Sequence, residues 1–105
     1  MIDEMTIQMA AELLRRAAPG ATIILFGSYA RGDVHEGSDL DFLVVEPELK
    51  ARREEMVRLR DVLRPLRIPV DVLVASQKTY EEWADTPGTL LYEAALEGRV
   101  FDAVS

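Results

Sequence analysis

Apolar positions along the chain change their period several times, and each change outlines an element. Across residues 3–17, Met5, Met9 and Leu13 recur at i, i+4 and i+8 with Ala10 and Ala17 beside them, which predicts a helix with that apolar stripe. Asp3 stands where an N-cap belongs, and Pro19-Gly20 ends the helix. Residues 22–26 are expected to form a strand, whose apolar run from Ile23 to Phe26 stops abruptly at Gly27-Ser28. Tyr29, Ala30 and Arg31 fit one helical turn, and residues 32–37 are loop material. A second strand is expected over residues 39–45. Leu40, Phe42 and Val44 share one face, and Asp39, Asp41, Leu43 and Val45 the other. Both faces are apolar beyond the acids, so this strand is expected to be covered on both sides.

Pro47 is placed to open a second helix, with Leu49, Met56, Leu59 and Leu63 as its apolar stripe and Arg52, Arg53, Glu54 and Glu55 as its wet side. Pro65 and Pro69 bracket its end. A third strand over residues 70–74 carries Asp71 on the face opposite Val70, Val72 and Val74. A strand-helix-strand unit of this length predicts parallel neighbours, which would set Asp71 beside Asp41. Thr79 with Glu82 reads as a capping box for a short helix through Trp83. A turn at residues 85–88 precedes a last helix over 89–97, expected to bury Leu90, Leu91, Ala94 and Ala95 and to stop at Gly98. Val100 and Phe101 suggest a short edge strand. The expected class is α+β, a short mixed sheet with helices packed against it.

Composition narrows the possibilities. The 105 residues suit one domain, 1–105, with a single core and no separate substrate domain. Without cysteine there is neither a disulfide framework nor a thiolate metal site. A net charge of −7 argues against direct binding of nucleic acid. No apolar run approaches the roughly 20 residues of a membrane span. The start, Met1-Ile2-Asp3-Glu4, is unlike a signal peptide, so a cytoplasmic location is expected. The lone His35 sits on a polar loop and reads as solvated. Ser38 reads as a loop hydrogen-bonder holding Asp39 in place. Tyr80, Trp83 and Tyr92 read as core or partner-facing aromatics, and nothing in the sequence selects one of them to stack on a base.

The candidate chemistry gathers between the first two strands. Asp39 and Asp41 project from one face at the start of a buried strand, where like charges repel and lose hydration. A divalent cation resolves both problems. Gly27-Ser28 offers what a phosphate needs: a turn without bulk, free N–H groups and a hydroxyl. An isolated Asp-x-Asp is more often only the polar start of a strand, and most Gly-Ser pairs are ordinary turns. Their combination, with Asp71 downstream, favours a site.

Gly27-Ser28, ten intervening residues and then Asp39-Leu40-Asp41 resembles the signature of the nucleotidyltransferase superfamily that includes DNA polymerase β. The fuller string, Gly27-Ser28-Tyr29-Ala30-Arg31-Gly32 followed by Ser38-Asp39-Leu40-Asp41, resembles its small prokaryotic branch, the minimal nucleotidyltransferases (MNT). The resemblance implies Mg²⁺-dependent transfer of NMP from ATP or another NTP to an acceptor hydroxyl. Asp39, Asp41 and Asp71 would be the catalytic acids and the ligands of a two-metal site, with the ions about 3.5–4 Å apart. Asp71 would serve the ion that activates the acceptor. Gly27 and Ser28 would meet the nucleotide's β,γ-phosphates. Arg31 either pairs with a phosphate or braces the loop through Asp33 or Asp39. Many stand-alone members of this size are antitoxins that add AMP to a tyrosine of a co-encoded HEPN-domain toxin. Such a partner is expected here, and homo-oligomers are allowed. The rivals are an aminoglycoside-type antibiotic nucleotidyltransferase and a non-catalytic module that masks a partner by contact.

Overall fold

Asp3 starts the first helix by holding an extended backbone while its carboxylate accepts the Thr6 N–H at 2.9 Å. The computed structural model describes residues 1–101. Helix α1 (Glu4–Ala17) leads into strand β1 (Thr22–Phe26), a short helix α2 (Ser28–Arg31) and strand β2 (Leu40–Glu46). Helix α3 (Arg52–Leu63) ends in a 3₁₀ turn (Arg64–Leu66) before strand β3 (Val70–Ser76). Helices α4 (Gln77–Trp83) and α5 (Leu90–Glu97) precede a last strand, β4 (Arg99–Phe101). The sheet order is β3-β2-β1-β4, antiparallel except for the parallel β2–β3 pair. Strand alternation divides the core in two. Ile23, Leu25, Leu40, Phe42, Val44, Val72 and Val74 pack against α1 and α3. Ile24, Phe26, Leu43, Val45 and Ala75 pack beneath Ala94 of α5 and Tyr80 of α4. Phe101 of β4 closes edge-on against Phe42, ring centroids 6.4 Å apart.

Four expectations need correcting. The core stripe of α1 is Ile7, Ala10, Ala11 and Leu14, whereas Met5 is 73% exposed and Met9 49% exposed. The helix approaches the sheet on alanines, and closeness of approach selects small residues over bulky ones. Pro47 does not open α3: residues 47–51 form a connector and the helix begins at Arg52. Of its expected stripe, Leu59 and Leu63 are buried and Met56 packs on the same core, whereas Leu49 packs there from the connector rather than from the helix. The N-cap of α4 is Ser76, whose hydroxyl accepts the Thr79 N–H at 3.1 Å, so Thr79 lies inside the helix. In α5 only Ala94 is fully buried; Leu91 is partly buried and Leu90 and Ala95 face solvent.

The end of β2 carries a titratable pair. Burial, then the Glu55 carboxylate, push Glu46 up to about 7 from 4.5. Glu46 Oε2 is buried and finds no hydrogen-bond partner among the described residues. Arg58, at 2.6 Å, holds Glu55 down to about 2. The folded chain thus binds the Glu46 proton more tightly than the unfolded chain does, and this contribution to stability is lost as pH rises from about 4.5 to about 7. Glu46→Gln is expected to melt higher than the parent at pH 8 and to lose that downward slope. Melting curves at pH 5 and pH 8 test it, and an unchanged slope in the variant contradicts the assignment.

Candidate functional site

One end of the sheet collects the candidate residues because β1 runs opposite to β2 and β3. The end of β1 therefore lies over the starts of the other two. Phe26 pairs with Asp41, and Asp41 stands opposite Asp71 in the parallel register. Asp39 precedes β2 by one residue, as Leu40 donates its N–H to Pro69 O at 2.9 Å and fixes where the pairing starts. At Gly27 the backbone turns out of β1 with φ 75° and ψ −157°, a region open to glycine almost alone. A Cβ there would strike Asp41 Oδ2, so glycine is also what lets that carboxylate sit against the turn.

Asp41 is the electrostatically stressed member. Burial raises its pKa first, then the charges of Asp71 and Asp39, while Arg31 pulls it down. Neither Asp39 nor Asp41 has a hydrogen bond or ion pair to its carboxylate among the described residues. Asp71 does: Arg60 of α3 reaches it at 3.1 Å. That pairing escaped the sequence reading, and the wet helix face on which Arg60 lies gave no signal for it. Among the described residues no group of three or more His, Cys, Asp or Glu is drawn together as a metal site. The chemistry of the donors nevertheless fits a hard divalent cation, which takes carboxylate oxygens, and two of the three carboxylates are without a protein cation. Arg60 engages only Oδ1 of Asp71, which leaves Oδ2 to join them.

Ser28 opens α2, whose first N–H groups have no acceptor within the helix. Its hydroxyl makes no hydrogen bond among the described residues. Arg31 braces rather than reaches inward. It donates to Asp33 at 3.2 Å and lies 3.6 Å from Glu93 and 3.8 Å from Glu97, tying α2 to α5. Asp33 was an expected partner; the two glutamates were not, since nothing local places α5 near α2. Tyr29 OH accepts the Ile2 N–H at 3.0 Å and so pins the chain start to α2. Ser38 braces the loop through His35, whose N–H it accepts at 3.0 Å, rather than through Asp39. His35 is exposed, as expected.

A family profile described as the nucleotidyltransferase domain matches residues 7–101. A Methanocaldococcus jannaschii protein provisionally named a protein adenylyltransferase is 38% identical over 53 residues, covering 50% of this chain and 52% of that protein. The match thus spans about half the length of that relative. A solved toxin–antitoxin structure with AMP-PNP superposes with a TM-score of 0.55 at 27% identity, aligning 94% of this chain with 72% of that one. The Shewanella oneidensis complex of a tri-AMPylated HEPN toxin with an MNT antitoxin gives 0.59 at 17% identity, over 94% of this chain and 71% of that one, a likeness of fold.

Proposed function

The chain belongs to the nucleotidyltransferase domain family, and from that premise we propose that it is a transferase that passes AMP from ATP to a hydroxyl of a partner protein. The observation that carries this reading is the register that sets Asp41 opposite Asp71 with Gly27 against the Asp41 carboxylate. Gly27 and Ser28 receive the β,γ-phosphates through free N–H groups and the unengaged hydroxyl of Ser28. Asp39, Asp41 and Asp71 would hold divalent cations, Mg²⁺ in the first instance, which when bound neutralise the phosphates and acidify the acceptor hydroxyl. The acceptor oxygen forms its bond to the α-phosphorus as the bond to the bridging oxygen breaks, and pyrophosphate leaves. Asp71, through the oxygen that Arg60 does not engage, takes the hydroxyl proton. Arg31 holds the turn and lends Asp41 positive potential.

The partner is proposed to be a co-encoded HEPN-domain toxin, with this chain as its antitoxin. The named activity of the archaeal relative and the toxin–antitoxin assembly with AMP-PNP support that class of acceptor. The charge of −7 draws in a basic partner surface and speeds its association at low salt. Incubation with ATP, Mg²⁺ and the co-encoded partner is expected to add AMP to the partner, read by intact-mass spectrometry, and Asp39→Ala to abolish the addition. An unmodified partner that is still inhibited favours masking by contact, and modification of an aminoglycoside instead favours an antibiotic enzyme.

A further inference from the structure

A groove of about 450 Å³ opens on the sheet face that carries the acids. Its floor is Leu43 and Leu73, the next residues on that face after Asp41 and Asp71, so it begins one pleat, about 7 Å, from the carboxylates. Leu49 walls one side, and Leu90 and Leu91 of α5 the other. Its size is that of a small-molecule site, and its lining is apolar with a few hydroxyls and cations at the rim. Nothing in the transfer described above uses it.

We infer that this groove takes the base of the nucleoside triphosphate. The inference rests on the transferase reading and follows from directions on the sheet. In-line displacement sets the acceptor and the leaving pyrophosphate on opposite sides of the α-phosphorus. With the β,γ-phosphates at Gly27-Ser28, the leaving group lies over β1 and the acceptor enters over the outer strand β3. Both directions run across the strands. The nucleoside, an equatorial substituent, departs in the plane perpendicular to that axis, and the groove along the strands is the apolar cavity that lies in this plane next to the acids. Its leucines suit the faces of a flat heterocycle. Thr79 Oγ1 accepts from Ser76 Oγ at 3.0 Å, which leaves the Thr79 hydroxyl hydrogen for a ring nitrogen. A protein side chain in the groove would approach along the wrong axis for in-line attack.

The test compares a non-hydrolysable ATP analogue with inorganic tripolyphosphate, each in Mg²⁺, by calorimetry. Thr79→Trp fills the groove from its exposed rim, and Leu90→Trp, at a position 40% exposed, is a second variant should the first fold poorly. Each is expected to weaken the ATP analogue at least tenfold while tripolyphosphate affinity changes less than twofold. The inference is overturned by folded variants with parental affinity for the analogue, or by a parent chain that holds tripolyphosphate as tightly as the analogue. A parent chain that binds neither probe overturns the transferase reading instead.

Discussion

Asp41→Asn is expected to melt higher than the parent without metal, and to lose transfer by on the order of 10²–10³-fold, as when one preorganised electrostatic group is removed from an active site. The two effects share a cause. Asp41 is ionised among Asp39 and Asp71, partly buried, with no cation in contact, and these same influences raise its pKa. A raised carboxylate pKa means that folding is disfavoured as pH climbs through it and the charge forms. Asparagine keeps the shape, removes the charge and so removes that cost. It also removes the anionic oxygen on which the proposed transfer would depend. Scanning calorimetry at pH 8 in EDTA, with a single-turnover assay in Mg²⁺, reads both. A variant that melts clearly lower would mean that Asp41 has a structural partner, Arg31 being the nearest candidate.

Gly98→Ala has the largest expected effect on stability. Its backbone is ordinary, with φ −72°, so strain is not the reason for glycine. The reason is space: an added Cβ would strike the Ala94 carbonyl oxygen of α5 and the Ile24 side chain of β1. The first is backbone and the second is core, so neither yields cheaply. Overpacking of this kind costs about 1–3 kcal/mol, which for a domain of this size lowers the melting temperature by roughly 4–8 °C per kcal/mol. The same shift would loosen α5 from α2, because Glu93 and Glu97 meet Arg31 there. A melting temperature within 2 °C of the parent, on thermal denaturation, would show that the chain reroutes around the methyl group.

Much of this was legible because alternation in a strand is rigid. Asp41 with Leu43, and Phe42 with Val44, could be assigned to opposite faces from order alone, and the fold keeps them there. The parallel direction of β2 and β3 followed from the length of the crossover, and the register then sets Asp71 opposite Asp41. Helix faces were harder. In α1 the methionines outweigh the alanines on any hydrophobic count, yet alanine is what a close helix–sheet contact admits. Pairings between distant segments were invisible: Arg60 with Asp71, Arg31 with Glu93, and Arg52 Nε donating to Val74 O at 2.8 Å. Each depends on a long side chain reaching across elements whose spacing no local pattern encodes.

β4 also bears on how such a chain comes off a ribosome. Its partner β1 is made early, yet Ile23, Ile24 and Leu25 find Phe101, Val100 and Arg99 only when nearly the whole domain has emerged. Until then β1 offers newly made chains an unpaired apolar edge, the surface through which strands aggregate. Arg99, bonded to Glu4 and stacked over Phe101, then seals the edge with charge and clamps the last strand to the first helix. A chain cut before Arg99 would keep that edge open and is expected to aggregate more readily than one that carries β4.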